Sequence, residues 1–204
     1  MPSFDEEKIL KAQGYRHIAG VDEAGRGALA GPVVAAAVIL PLNKNLPFIS
    51  LVRDSKKLTS LRRESLFHHI HESAVTVGIG MSDLDIIDTL GIVTATRLAM
   101  KSAIEQLSPL PDYMLVDYLR LPEIDLPQKG ITRGDDLSYS IACASIIAKV
   151  SRDRLMIEFD KEYSGYRLAN HKGYGTQEHM ECLRRLGPCA IHRKTFNPVR
   201  EMMK

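Results

Sequence analysis

Asp22 and Glu23 stand side by side at the end of the apolar run His17-Ile18-Ala19-Gly20-Val21, and Gly25-Arg26-Gly27 follow one residue later. Adjacent carboxylates are hard oxygen donors suited to Mg²⁺ or Mn²⁺, and the flanking glycines let the backbone approach a ligand that a Cβ would hold off. A solvated turn after an edge strand uses the same residue types, so the pair needs support from the rest of the chain. Asp117 closes a second apolar run, Tyr113-Met114-Leu115-Val116, and Asp135-Asp136 follow Arg133-Gly134. In a mixed α/β sheet the ends of neighbouring strands converge, so three or four of these carboxylates should meet at one edge. Like charges in one site raise one another's pKa, and a divalent cation is the natural relief. Asp136 has a simpler use as the cap of the helix that follows it.

A second constellation is Asn170-His171-Lys172-Gly173-Tyr174-Gly175-Thr176, just before a helix that Thr176 can cap. The helix N-terminus can bind an anion and Tyr174 can stack on a sugar or base, although a tyrosine between two turn glycines also serves as a core anchor. Ser138, Ser145, Lys149 and Arg152 are spaced at i, i+7, i+11 and i+14, which places them on one helical face. That face could track a phosphate backbone, or it could be a solvated face opposite Ile147, Val150 and the stem of Arg154. His171, His179 and His192 lack metal-ligand spacing. Cys143, Cys182 and Cys189 form no C-x-x-C, so neither zinc nor a disulfide framework is indicated.

The elements that must carry these residues are read from periodicity. Ser3-x-x-Glu6 is a capping box for a short helix ending at Gly14, and residues 18–22 and 33–40 are neighbouring strands. Ser60 can cap a helix to Glu72, residues 74–80 alternate as a third strand, and helices are predicted over 82–90 and 92–107. Residues 113–117 form a buried strand, and a long helix runs from Leu137 to Tyr163, with small residues Ala142-Cys143-Ala144-Ser145 that require a close neighbour. Early strands followed by helix, strand and helix predict an α/β fold with a mixed sheet flanked by helices. Residues 1–164 would form the body, with 1–14 as an N-terminal helical appendage, and 165–204 a small C-terminal helical subdomain.

The 204 residues are 45% hydrophobic and 25% charged, the composition of a soluble folded protein. The apolar run 33–40 is too short to span a membrane, and the acidic N-terminus does not resemble a secretory signal, so a cytoplasmic location without membrane contact is expected. From Lys161 onward there are nine Lys/Arg against four Asp/Glu, while the preceding residues carry 18 against 21. A basic tail on an acidic body suits a polyanionic substrate.

These motifs resemble the type 2 ribonuclease H family in its bacterial form, ribonuclease HII. The resemblance runs from Ile18 to Val199. It rests on residues 20–27 (GVDEAGRG), 54–58 (DSKKL), 115–117 (LVD), 133–135 (RGD), 141–153 (IACASIIAKVSRD) and 171–174 (HKGY). It implies an RNase H-like sheet and catalytic, metal-holding carboxylates at Asp22, Glu23, Asp117 and Asp135, with Asp136 a bystander. Gly25, Arg26 and Gly27 would recognise the ribonucleotide 2′-OH at an RNA–DNA junction, largely through backbone groups. Tyr174 would stack on the following deoxyribose, and Lys56, Ser145, Lys149 and Lys172 would contact phosphates.

By the same resemblance the substrates are RNA–DNA hybrids and junction duplexes, cut with two Mg²⁺ or Mn²⁺ ions on the 5′ side of an embedded ribonucleotide. The products would be a 3′-OH and a 5′-phosphate, the protein a monomer, and a sliding clamp is left open as a partner. Three positions depart from the family: Tyr118 stands for glycine, Arg133 for lysine and Cys143 for alanine. A ribonuclease HIII-type enzyme would instead carry an extra N-terminal domain and a glutamate in place of Asp135. A non-enzymatic binding module would have no use for four converging carboxylates.

Overall fold

The computed structural model describes residues 1–53, 55 and 58–203, so Lys56 lies outside the described residues. Five strands, β1 (Ile18–Ala24), β2 (Val33–Ile39), β3 (Thr76–Ser82), β4 (Tyr113–Asp117) and β5 (Gln128–Ile131), form one sheet in the order β3-β2-β1-β4-β5. β1 pairs antiparallel with β2 and parallel with β4; β3 continues the antiparallel half and β5 the parallel half. The sheet is therefore mixed, as the pattern predicts. The helices are α1 (Asp5–Ala12), α2 (Ser60–Ser73), α3 (Leu84–Leu90), α4 (Ile92–Glu105), α5 (Tyr139–Glu162), α6 (Leu168–His171), α7 (Gln177–Leu186) and α8 (Val199–Met202).

Alternation along β1 and β2 explains the layers. Ala19, Val21, Val33, Ala35, Ala37 and Ile39 pack with Ala95, Ala99 and Ala103 of α4. Ala24, Ala36 and Val38 pack on the other face against the small-residue start of α5 and Leu66, Phe67 and Ile70 of α2. The close neighbour required by Ala142–Ser145 is β1 itself. A Cβ on Gly20 would lie 2.0 Å from the Ser140 carbonyl carbon and 2.3 Å from the Ile141 nitrogen, so glycine is needed for α5 to lie this close.

Several local assignments are corrected. Residues 74–80 shift to Thr76–Ser82 because the strand takes its register from β2, Ile39 pairing with Thr76 and Val33 with Ser82. β5 carries neither alternation nor a long apolar run, and its place is set by pairing with β4. Thr59, not Ser60, caps α2 through a bond from the Arg62 N–H. Ser138, not Asp136, caps α5, accepting from the Ile141 N–H; Asp136 instead belongs to a 3-10 turn, Gly134–Asp136.

Ser3 and Glu6 form no capping box: Ser3 Oγ accepts from the Asp5 N–H, and Glu6 takes Lys129 at 2.8 Å. α1 still has a positioning role. Its fully buried Glu7 accepts from Ser138 Oγ at 2.6 Å and from the Ser140 N–H at 3.0 Å, placing a carboxylate at the positive end of α5. Gly20→Ala should lower unfolding free energy by at least about 2 kcal/mol through overpacking of β1 against α5, read as a drop in the urea midpoint.

Candidate active site

Val21 of β1 is registered with Val116 of β4, so the next residues along these parallel strands, Asp22 and Asp117, emerge at the same sheet edge. Asp22 is buried and its carboxyl is held well above the ordinary carboxylate range, first by burial and then by the Glu23 and Asp117 charges. A Ser145 hydrogen bond and the Glu23 N–H, 2.7 Å from Asp22 Oδ1, act in the opposite direction. Asp117 Oδ1 accepts from the Gly134 N–H at 2.7 Å. That bond docks the 3-10 turn holding buried Asp135 onto the end of β4. Among the described residues, no group of three or more His, Cys, Asp or Glu makes a ready metal cage.

Beside this edge lies a cleft of about 550 Å³ lined by Glu23, the Gly25-Arg26-Gly27 turn, Ser55, Arg63, Ser145, Lys149 and Tyr174. The Ala28 N–H closes the turn on the Gly25 carbonyl at 3.2 Å, and Tyr174 Oη accepts from the Gly25 N–H at 3.2 Å. Gly25 has φ +91°, and a Cβ there would stand 1.9 Å from Arg152 Nε, so both the conformation and the space exclude a side chain. Gly27 faces open space. A second hollow of about 340 Å³ shares Arg63, Lys149 and Tyr174 and adds Lys172 and Arg154 beside Glu64 and Asp153, the last pairing with Lys149 and Arg63.

A family model described as Ribonuclease HII matches residues 19–199. The chain belongs to the ribonuclease HII family. It is 58% identical over 202 residues to a Ribonuclease HII of Dehalococcoides mccartyi, covering 99% of this chain and 95% of that protein. Among solved structures it is similar to ribonuclease H2 from Pyrococcus horikoshii, with TM-score 0.76, 25% identity, and 92% and 97% of the two chains covered. It is also similar to the RNase HII of Archaeoglobus fulgidus, solved as a complex with PCNA, with TM-score 0.76, 26% identity, and 89% and 95% covered. The fold is RNase H-like, and membership makes the protein an endonuclease that cuts RNA in RNA–DNA hybrids.

Asp22, Glu23 and Asp117 are electrostatically linked, and Asp135 reaches the same strand end through Gly134. Ser145 lies 2.9 Å from Ser55 Oγ. Lys149 donates to Asp153 at 2.6 Å, and burial lowers its pKa against that partner's pull; its Nζ lies 5.5 Å from the Tyr174 ring centroid. The Lys172 ammonium donates to the Ala169 carbonyl. Arg152 leaves the polar face inferred for its helix: it is fully buried and donates to the Pro32, Ala30 and Lys172 carbonyls, each at 2.9 Å.

Arg63, absent from the expected contacts, lines both hollows and donates to the Ser55 and Leu58 carbonyls. No local pattern marks it, because its role depends on α2 crossing α5. Tyr118 has φ +58°, a left-handed conformation that favours glycine. Its ring meets the Arg26 guanidinium at 5.9 Å.

The three unassigned histidines come together under the Tyr174 loop. His179 Nδ1–H donates to the Tyr174 carbonyl at 3.0 Å, so its Nε2 accepts from His192 Nε2–H at 3.0 Å, and His192 Nδ1 accepts from the Cys189 N–H at 3.0 Å. His171 stacks on His179 at 4.2 Å between centroids. Every ring nitrogen of His179 and His192 is thus used in the neutral form.

Two outcomes follow from this geometry. Asp22→Asn replaces a carboxyl whose ionised form burial and its neighbours disfavour, so in chelator the variant should melt no lower than wild type while losing cleavage. Burial pulls His179 from 6.5 down to about 4, and a base depressed in the fold takes its proton preferentially in the unfolded chain. Stability should therefore be intact above about pH 6.5 and decline by on the order of 2–3 kcal/mol towards pH 4. Urea titrations of wild type and His179→Gln should show a shallower acid slope in the variant.

Proposed function

We propose that this enzyme hydrolyses the phosphodiester on the 5′ side of a ribonucleotide embedded in duplex DNA, leaving a 3′-OH and a 5′-phosphate. One observation carries the reading. A single cleft has a carboxylate edge at one end, a glycine turn with φ +91° along its wall, and Tyr174 bonded to that turn. The 2′-OH is the group that distinguishes RNA from DNA at a given position, and backbone groups freed of side chains can reach it. Tyr174 supplies a stacking face for the next sugar, while Lys149, Lys172 and Arg63 line the path of the phosphates.

Asp22, Glu23, Asp117 and Asp135 are the residues that would hold Mg²⁺ or Mn²⁺, two ions being suited to such a displacement, and bound there they would activate water and stabilise the leaving oxygen. The oxygen-only donor set and the raised Asp22 carboxyl fit a divalent cation, which would draw that group into its ionised form. Residues 165–204 act in this reading as the substrate-gripping subdomain, since they contribute Lys172 and Tyr174.

The decisive assay is cleavage of an end-labelled duplex DNA carrying one ribonucleotide, with Mg²⁺ or Mn²⁺. A single cut 5′ to that nucleotide, reduced roughly a hundredfold or more in Asp117→Asn, is expected. Cutting confined to long hybrids would reject the junction reading. Tyr174→Ala should reduce junction cleavage about tenfold, more than it weakens binding, whereas equal losses on hybrid and junction substrates would remove Tyr174 from junction recognition.

A further inference from the structure

Arg193 is fully buried, and among the described residues no carboxylate forms a salt bridge with it, although the Asp88 charge favours its ionised form. Its guanidinium is ringed by main-chain oxygens. Nη2 donates to the Gly25 carbonyl at 2.7 Å and to Gly31 at 2.9 Å, Nη1 donates to Arg26 at 2.9 Å, and Nε donates to Gly31 at 3.0 Å. The Phe196 ring covers it at 5.0 Å. Two of the three carbonyls belong to the turn that walls the cleft. The third, Gly31, also has φ +80° and marks the end of the same loop.

We propose that Arg193 is a positioning residue for ribonucleotide recognition, holding the Gly25 and Arg26 carbonyls so that the following amides are presented to the 2′-OH. The inference rests on the reading of Gly25–Gly27 as the ribonucleotide-contacting turn. In a planar trans peptide the N–H points opposite to the preceding C=O. Fixing the Gly25 and Arg26 oxygens on one guanidinium therefore turns the Arg26 and Gly27 N–H groups away from it. Only arginine offers a planar fork able to bind three carbonyls at once, and lysine carries a point charge without that geometry. Burial and the Arg152 charge pull Arg193 down to about 9, which leaves it charged at neutral pH.

The backbone around Arg193 is itself anchored. Its N–H donates to the Leu29 carbonyl at 2.9 Å, the Gly31 N–H donates to Ile191 at 2.9 Å, and Asp88 holds the Lys194 and Thr195 amides at 3.0 Å. The C-terminal segment that follows α7 therefore also sets the turn facing Tyr174. Arg152, joining Ala30 and Pro32 to Lys172, fixes the spacing between the two.

The test compares wild type, Arg193→Lys and Leu183→Ala on a duplex with one embedded ribonucleotide and on a long RNA–DNA hybrid. Leu183 packs in the C-terminal cluster, which reaches the loop at Leu29 and Ala30 but includes none of residues 25–27, so its variant reports general loosening. Arg193→Lys should lower kcat/KM at the single ribonucleotide at least tenfold but less than threefold on the hybrid, where many registers offer a 2′-OH. Leu183→Ala should leave that ratio unchanged. Hydrogen exchange at residues 26–28 should accelerate tenfold in Arg193→Lys, with the α4 amides unaffected. Phe196→Leu, which keeps the guanidinium but removes its cover, should shift both readouts the same way to a smaller extent and serves if the lysine variant does not fold. An unchanged ratio, or unchanged exchange at residues 26–28, in a folded variant overturns the proposal. A wild type that fails to cut at the single ribonucleotide overturns instead the function on which it rests.

Discussion

Holding several carboxylates together at the ends of two parallel strands is the constraint on which the rest of this structure depends. The backbone register brings Asp22 and half-buried Asp117 to one edge, and the burial of Asp22 makes the repulsion between them stronger than it would be in water. Such an arrangement persists only where the surrounding packing is stiff. Gly20 lets α5 lie against β1, the small residues 142–145 fill the space with little side-chain volume, and α1 pins the first turn of α5 through Glu7. The strain of the site is thus carried by a tightly packed helix and sheet, not by the loops that wall the cleft.

The loops are held by a different device. Residues 25–32 belong mostly to turns, where carbonyl oxygens have few ladder partners, and two buried guanidinium groups take up those oxygens. A buried cation and a set of buried acceptors each cost free energy alone; together they satisfy one another. The neutral histidine chain under Tyr174 does the same for the opposite wall of the cleft. Both devices draw residues from the C-terminal segment, so the geometry of the cleft depends on how that segment packs against the loop at residues 25–32.

Much was legible in the residue pattern, and what escaped has physical reasons. β1, β2, β4 and both long helices follow from apolar runs of the right length, and the acidic residues at their ends were visible for the same reason. β5 escaped because four residues without alternation become a strand only through the partner they meet. The Ser3–Glu6 box failed because Lys129 of β5 and the Asp5 amide compete for its two side chains. Arg152 was placed on the polar face of α5 by its spacing, yet it is buried, since helical spacing says nothing about a neighbouring loop able to solvate a charge.

The sequence by itself determined the mixed α/β class and the family, and it put acidic residues at the ends of β1 and β4, because these depend on residue type at short, regular separations. Tertiary structure alone decided which groups serve one another across the chain: Arg193 with the turn at Gly25, His192 with His179, and Arg63 with the cleft. Those pairings join residues separated by up to 168 positions, and contacts between segments that far apart leave no periodic trace in either one.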